Sequence, residues 1–256
     1  MSTTLALIAV LAGGTSQGDP NAKQLIEKML GHYYSAKSVV GTIMLTVASG
    51  NQSAKMETVL QYERPGKFYL FQQKDESHRS KDEQWRWMVT GDGKEFSYDA
   101  PDVSTSLGTG NAGTRLKETQ TNPRTGKPMD IGDIYLAAGK SLGDRSMPLD
   151  IAIARRDDML FRKNQWMDYA VTGKNTLRGV EGFRISGGLR ENLGAAQMGS
   201  YQMVVSEEGD LLQYVEQMKV AVGEGKSVLV TSQWDVNLKV NATVEPSLFK
   251  VKLKYN

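Results

Sequence analysis

Residues 228–240, VLVTSQWDVNLKV, carry the longest regular alternation of apolar and polar side chains in the 256-residue chain. Apolar residues occupy every second position from Val228 to Val240, except at Ser232. Successive side chains of a β-strand point to opposite faces, so this pattern predicts a strand with one apolar face and one polar face. A strand of this kind is typical of an antiparallel sheet that is covered on one side.

The same period of two recurs along most of the chain on the N-terminal side of this strand. Tight turns such as Gly91-Asp92-Gly93-Lys94 separate the repeats, and their glycines suit hairpins. Strands are predicted at residues 39–47, 56–62, 68–70, 85–89, 96–98, 167–171, 180–185, 201–205, 212–222 and 249–251, in addition to 228–240.

Three helices complement the strands. Asp19 and Pro20 are expected to be the N-cap and the first residue of a helix whose apolar face runs from Ala22 to Tyr33. Two shorter helices are predicted at residues 130–142 and 148–156. About ten twisted strands rarely form a flat open sheet, so the sequence predicts a curved antiparallel half-barrel, mainly β, with covering helices.

The chain is expected to contain one domain, residues 18–256, after a signal peptide at residues 1–17. Leu5 to Ala12 are eight apolar residues followed by small residues, which is typical of an export signal and too short for a membrane span. No Lys or Arg precedes them, so an apolar arm or a misassigned start codon is the alternative. We expect a periplasmic or otherwise exported monomer, with a long loop or lid near residues 102–130.

Composition argues against several classes of function. Lys and Arg number 31 against 29 Asp and Glu, for a formal net charge of +2, whereas a nucleic-acid groove needs a concentrated basic surface. The chain has no Cys and two His, which argues against a metal site, disulfides and thiol catalysis. It also lacks a G-x-S-x-G motif. The sequence therefore predicts no enzyme, no catalytic residues, no cofactor and no nucleic-acid partner.

A curved sheet places its apolar face on the concave side, where three short helices are too few to fill it. An apolar cleft for a small molecule or an acyl chain is the expected result. The alternative is that these side chains simply form the core. The predicted lining residues are Leu45, Leu60, Tyr62, Phe68, Leu70, Trp85, Trp87, Val89, Phe96, Tyr98, Met203, Tyr214, Met218, Val230 and Trp234.

Three stretches in order carry a resemblance to a known family. The first is QYERPGKF at residues 61–68, and the second is GDGK at 91–94, followed by Phe96, Tyr98 and Pro101. The third is the end of the chain, residues 234–241 and 244–251. Together they resemble the LolA-like proteins, the periplasmic lipoprotein-carrier family of bacteria.

The resemblance implies a curved, incomplete barrel closed by helices, which holds the acyl chains of a lipoprotein in an apolar cavity. It also implies membrane-bound donor and acceptor proteins as partners. Arg64 matches the family's Arg before Pro, which implies a role in latching the helical lid and releasing cargo; the alternative is an exposed charge at a strand end. The chain departs from the simplest carriers in its long 102–128 segment and in lacking Pro-Gly after Phe249.

Two hypotheses from different classes follow. The first is an exported soluble carrier that binds lipid or lipoprotein acyl chains in the half-barrel for transfer through the cell envelope. The second is an envelope-stress sensor or protein-interaction module on the same fold, in which the long central loop docks a protein partner.

Overall fold

A computed structural model of the chain describes residues 21–75, 86–100, 114–121, 125–129, 131, 146–153, 166–189, 196–223 and 225–250. These residues form eleven strands, two α-helices and one 3₁₀ helix. In chain order the elements are α1 (Ala22–Ser35), β1 (Ser38–Ser49), β2 (Gln52–Glu63), β3 (Lys67–Lys74), β4 (Arg86–Asp92), β5 (Glu95–Ala100), β6 (Thr114–Thr119), α2 (Met147–Ile153), β7 (Trp166–Leu177), β8 (Val180–Leu189), β9 (Ala196–Ser206), β10 (Leu211–Gly223), β11 (Lys226–Val240) and the 3₁₀ helix (Pro246–Phe249).

All eleven strands belong to one sheet, in the order β6-β5-β4-β3-β2-β1-β11-β10-β9-β8-β7. Every neighbouring pair is antiparallel. Strands β6 and β7 are the two edges, so the sheet is open. The pairing of β1 with β11 joins the N-terminal half to the C-terminal half, with Val39 opposite Val240 and Ser49 opposite Val230. The predicted open antiparallel sheet of about ten strands is confirmed.

One face of this sheet is apolar across both halves, and we call it the inner face. Its side chains fall in register across the strands, because each strand contributes every second residue. One row across seven strands contains Met56, Leu45, Trp234, Tyr214, Met203, Ile185 and Val171. Buried residues of both halves form a single apolar cluster with α1 and α2, so the sheet curves around the helices as predicted.

Helix α1 packs its apolar stripe onto this cluster. Ala22, Leu25, Ile26, Met29, Leu30 and Tyr33 are buried, as the spacing predicts. The N-cap is Asn21, whose Oδ1 accepts a hydrogen bond from Lys23 N at 2.8 Å. The prediction of Asp19 as N-cap and Pro20 as first helical residue is therefore wrong, because Asn21 satisfies the first-turn N–H groups in their place.

Helix α2 is enclosed by protein. Each of its residues, Met147–Ile153, is buried, and the helix contacts α1, β1 and β10. A helix whose residues are all buried, here including the carboxylate Asp150, lies inside a core, so α2 occupies the interior of the half-barrel. This confirms the helix predicted at 148–156 as far as residue 153; residues 154–156 lie outside the described residues, as does all of the helix predicted at 130–142 except Ile131.

The turn between β9 and β10 fastens α1 to the sheet. His32 Nε2 lies 3.1 Å from Asp210 Oδ1. Leu211 N donates a hydrogen bond to Tyr33 Oη at 3.2 Å. These contacts hold the C-terminal half of α1 against the start of β10.

The segment near 102–130, predicted as a long loop or lid, contains a strand. Residues 114–119 form β6, which pairs with β5 and places Leu116 opposite Tyr98. The loop prediction is therefore wrong for this part. The sequence of this strand, TRLKET, is mostly polar and shows no apolar alternation. An edge strand can be polar, because it has a neighbouring strand on one side only. Residues 102–113 lie outside the described residues.

The end of the chain also differs from the prediction. Phe249 was predicted in a closing strand at 249–251, but it ends the 3₁₀ helix Pro246–Phe249. Pro246 has no N–H to donate to a sheet and suits the first turn of a helix. The 3₁₀ helix packs against β3 and β4, where Phe249 is buried. Val251 lies outside the described residues.

Residues 1–17, the predicted signal peptide, also lie outside the described residues. Within the described ranges, no helix combines the length and the apolar character needed to cross a membrane.

The junction of β1 and β11 generates a stability prediction at Gly41. A Cβ at this position would lie 2.0 Å from Asn237 O, and the φ of Gly41 is +149°. Gly41→Ala therefore forces the two strands apart, and we expect it to lower the free energy of unfolding in urea by about 2–4 kcal/mol.

Gly31→Ala is the matched control. Gly31 is exposed in α1, and nothing lies within 4 Å of a Cβ built there. We expect this variant to raise the free energy of unfolding by about 0.5–1 kcal/mol, since Ala favours a helix over Gly. Equal stability of the two variants would contradict the tight β1–β11 junction.

Candidate functional site

Most of the predicted lining residues share the inner face. Leu45, Leu60, Tyr62, Phe68, Leu70, Trp87, Val89, Phe96, Met203, Tyr214 and Trp234 are all buried in one apolar cluster. Met218 and Val230 are half-buried and lie opposite each other on β10 and β11. The structure thus brings the predicted set together. That these side chains bind a ligand stays a prediction, because core packing buries apolar residues equally well.

Two predicted lining residues are not placed as side chains. Trp85 lies outside the described residues. Tyr98 belongs to β5, where its backbone lies opposite Val89 of β4. Its side chain is not among the described side chains.

The N-terminal half of the inner face holds a polar pair among its apolar residues. Gln72 Nε2 donates a hydrogen bond to Thr58 Oγ1 at 3.2 Å, and both residues are buried. Gln72 Oε1 has no hydrogen-bond partner in the described part of the chain. Close by, a Cβ at Gly91 would lie 2.4 Å from Phe68 Cε1, so the glycine lets the Phe68 ring lie flat on β4.

The C-terminal half of the inner face carries an aromatic cluster, which consists of Trp166, Tyr201, Tyr214 and Trp234. The ring centroids of Tyr214 and Trp234 are 5.6 Å apart, and those of Trp166 and Tyr201 are 5.8 Å apart. Tyr201 and Tyr214 stack at 6.2 Å. These separations are those of interacting aromatic pairs, so strands β7, β9, β10 and β11 present one continuous aromatic surface.

Two polar atoms of the aromatic cluster are hydrogen-bonded in series. Trp166 Nε1 donates to Tyr214 Oη at 3.1 Å, and Tyr214 Oη donates to Glu216 Oε1 at 2.9 Å. Burial, with the nearby Glu216 charge, raises the pKa of Tyr214 well above its usual value. The Tyr214 hydroxyl therefore keeps its proton and remains the donor to Glu216.

The other two polar atoms of the aromatic cluster have no partner in the described part of the chain. Tyr201 Oη and Trp234 Nε1 are buried and have no hydrogen-bond partner among the described residues. Leaving a buried donor unsatisfied costs about 1–3 kcal/mol, and native proteins contain few such groups. Burial also raises the pKa of Tyr201, so its hydroxyl is protonated.

Cover of the inner face decreases along β10 and β11 toward their hairpin. Tyr214 is fully buried, Met218 is half-buried, and Val228 is 36% exposed. We call the inner-face residues Met218, Val220, Val228 and Val230 the apolar track; Glu216 and Ser232 lie between them and the pair Tyr214 and Trp234. The apolar track leads from the aromatic cluster to solvent.

Arg64 lies at the C-terminal end of α1. Its Nε donates a hydrogen bond to the carbonyl of Ala36, the C-cap residue of α1, at 3.1 Å. Its guanidinium lies 5.3 Å from the centre of the Tyr62 ring. The side chain is half-buried and binds the negative end of the helix dipole. Arg64 therefore connects the covering helix to β2, while its role as a release latch stays a prediction.

Three residues of this site are not among the lining residues predicted from the sequence: Trp166, Tyr201 and Glu216. Tyr201 lies two residues before Met203 and therefore on the same face of β9, so the alternating pattern was sufficient to place it on the inner face. Glu216 lies two residues from both Tyr214 and Met218, so the alternation places it on the inner face. A carboxylate among apolar residues on that face was the signal in the sequence. Trp166 follows a segment without periodicity, and only the pairing of β7 with β8, which places it opposite Leu189, brings it to the cluster.

The described residues contain no group of three or more His, Asp or Glu arranged to hold a metal ion. The expected absence of catalytic residues and of a cofactor stays a prediction.

A scan against protein-family models and a search of curated proteins return no match. The search of solved structures returns matches over most of this chain. The lipoprotein LppX of Mycobacterium tuberculosis is 10% identical, with 86% of this chain and 99% of that chain covered and a TM-score of 0.40. A LolA superfamily protein from Nitrosomonas europaea is 10% identical, with 91% and 98% covered and a TM-score of 0.32.

A chain of the MucA/MucB complex of Pseudomonas aeruginosa is 12% identical, with 90% of this chain and 61% of that chain covered and a TM-score of 0.41. At these identities and TM-scores the similarity concerns the fold only. The curved open antiparallel sheet with helices on its inner face, which the resemblance to LolA-like proteins implies, is seen in the structure of this chain itself.

The contrast between the two tyrosines of the aromatic cluster generates a stability prediction. Tyr214→Phe removes a hydroxyl that joins Trp166 to Glu216, so we expect the free energy of unfolding to fall by about 1–3 kcal/mol. Tyr201→Phe removes a buried hydroxyl that has no partner among the described residues, so we expect it to leave this free energy unchanged or raise it by about 1 kcal/mol.

Both changes remove one oxygen from a buried tyrosine, so each variant is the control for the other. The measurement is urea unfolding followed by tryptophan fluorescence. A loss of stability in Tyr201→Phe as large as that in Tyr214→Phe would show that the Tyr201 hydroxyl is bonded within the protein.

Proposed function

We propose that the chain is an exported carrier that binds lipid or lipoprotein acyl chains non-covalently on its inner face, for transfer through the cell envelope. The observation that carries this proposal is the apolar track, where apolar residues of the inner face continue beyond the cover of α1 and α2 to solvent.

Burial alone is sufficient to hold such a ligand. Each buried methylene contributes about 0.8 kcal/mol, so ten methylenes contribute about 8 kcal/mol, which corresponds to a dissociation constant near 1 µM before the entropic cost of binding. The mechanism requires no bond-making and no charge at the apolar end of the ligand. We therefore propose a binding protein and not an enzyme.

Helix α2 has a specific role in this proposal. It is buried on all sides against α1, β1 and β10, so it occupies interior space that an acyl chain also requires. An acyl chain offers the inner face the same apolar contacts that α2 offers, and the exchange therefore costs little hydrophobic free energy. Ligand binding is expected to displace α2 and to lift α1 while its C-terminal end stays attached.

That attachment lies at the end of α1 next to β1 and β2. Arg64 Nε holds the Ala36 carbonyl at 3.1 Å, and Arg64 N donates to Lys37 O at 2.8 Å. Lys37 N in turn donates to Asn241 Oδ1 at 2.9 Å. We propose this end, together with the contact between His32 and Asp210 in the last turn of α1, as the pivot about which the N-terminal end of α1 moves.

Native mass spectrometry of the gently purified protein tests the proposed function against its rival. Co-purified lipid in the mass range of acylated molecules would support the carrier. A protein free of lipid, together with a tight protein partner, would contradict it and favour the sensor or interaction module.

Met218→Glu tests the position of the ligand. Met218 is half-buried on the apolar track, so Glu is tolerated there but places a charge beside the bound chain. We expect the affinity for a fluorescent fatty acid to fall at least tenfold, which corresponds to about 1.4 kcal/mol. The affinity is measured by fluorescence titration.

Met44→Glu is the matched control, because Met44 is 37% exposed and lies on the opposite face of β1 from Leu45. We expect its affinity to equal that of the unmodified protein. Equal affinity of both variants would remove the apolar track as the ligand site.

Arg64→Leu tests the pivot and latch. The side chain is half-buried, so its loss is expected to lower the melting temperature by only a few degrees, while the rate of lipid release rises because the end of α1 is no longer held. Release is followed by transfer of a fluorescent fatty acid to acceptor vesicles.

Lys67→Leu provides the control for Arg64→Leu. Lys67 is exposed at the start of β3 and lies 3.5 Å from Glu63 Oε2. This variant is expected to release lipid at the original rate. Identical release from Arg64→Leu and the unmodified protein would remove the latch role of Arg64.

A further inference from the structure

The aromatic cluster presents two hydrogen-bond donors on the inner face that the described part of the protein does not use. Tyr201 is 3% exposed and Trp234 is 5% exposed, and neither Tyr201 Oη nor Trp234 Nε1 has a partner there. Their neighbours in the same cluster are treated differently, because Trp166 Nε1 and Tyr214 Oη are both hydrogen-bonded. The unused donors are thus specific to two positions.

The backbone of β8 packs closely against one of these donors. Gly187 of β8 lies opposite Tyr201 of β9, and a Cβ at position 187 would lie 2.9 Å from Tyr201 Oη and 2.4 Å from Met167 O. A larger residue at 187 would therefore clash with the Tyr201 side chain, so the glycine allows the Tyr201 hydroxyl to keep its position in the aromatic cluster.

We propose that the aromatic cluster is the binding site for the ester groups of a neutral acyl lipid, whose carbonyl oxygens accept hydrogen bonds from Tyr201 Oη and Trp234 Nε1. This inference rests on the proposed function and adds the chemical class of the ligand. The acyl chains then extend from the ester groups along the apolar track.

The chemistry of the two donors selects this class. An indole N–H donates and cannot accept, and an ester carbonyl accepts and cannot donate, so the two are complementary without a further proton. A carboxylate ligand is disfavoured, because Glu216 lies directly opposite Tyr201 on β10 and like charges repel. A plain hydrocarbon leaves both donors unsatisfied in the complex as well.

The experiment compares a diacylglycerol with the ether-linked dialkylglycerol of the same chain length, which lacks the carbonyl oxygens. Both lipids displace diphenylhexatriene, a fluorescent hydrocarbon, from the full-length protein. We expect the diacylglycerol to bind about tenfold more tightly than the ether, as two hydrogen bonds provide. Tyr201→Phe is expected to reduce this ratio to about threefold, and Tyr201→Phe with Trp234→Phe to about one.

Affinity for the ether lipid is the internal control for folding and shape, and Tyr34→Phe is the control for the loss of a hydroxyl, since Tyr34 is 42% exposed. The tenfold ratio is expected to persist in Tyr34→Phe. As a second readout, the infrared stretch of the bound ester carbonyl is expected at lower frequency in the unmodified protein than in Tyr201→Phe.

The outcomes separate this inference from the proposed function. If both lipids bind with equal affinity, or if the ratio is unchanged in the two variants, the ester site is wrong and the carrier proposal stands. If neither lipid displaces the probe, the carrier proposal and the ester site are both wrong.

Discussion

The pairing of β1 with β11 is the constraint on which the rest of the structure depends. It joins segments that are almost 200 residues apart in the chain, as in the contact of Leu45 with Trp234, and it turns two antiparallel meanders into one sheet. Such a long-range pairing requires loop-closure entropy to be overcome before it stabilises anything. Gly41 allows the two strands to approach closely at this junction. Without this pairing, the two halves of the inner face would not share one apolar cluster.

The inner face meets two demands that oppose each other. It must bury enough apolar area to hold an open sheet together, which α1 and α2 achieve by packing against it. The proposed function also requires that this cover be exchanged for a ligand. The structure contains features of both kinds: α1 is held at its C-terminal end by Arg64 and in its last turns by the β9–β10 turn, while α2 contributes mainly apolar contacts. Apolar contacts are non-directional, so an acyl chain can replace them.

The polar atoms of the aromatic cluster also fall into two groups, those bonded within the protein and those without a partner in its described part. Tyr214 is fully integrated, because it accepts from Trp166 and donates to Glu216. Tyr201 and Trp234 are equally buried and remain without partners in the described part of the chain. Proteins tolerate unsatisfied buried groups where function requires them. These two donors are the polar atoms on which the proposed ester site rests.

The one-dimensional pattern was sufficient for the strands, the face that each residue of a strand occupies and most of the proposed lining, because the period of two is a local property of extended backbone. Helix α1 was predictable for the same reason, from its period of 3.6.

Local patterns were not sufficient where packing against distant residues determined the outcome. Phe249 enters a 3₁₀ helix over β3 and β4 instead of a strand, and residues 114–119 form an edge strand although their sequence is polar. The convergence of Trp166, Tyr201, Tyr214 and Trp234 depends on the register of five strands, and the contact of Arg64 with the end of α1 depends on where the helix lies. Register and helix position are set by the sum of contacts between segments far apart in the chain, and for that reason only the tertiary structure could decide them.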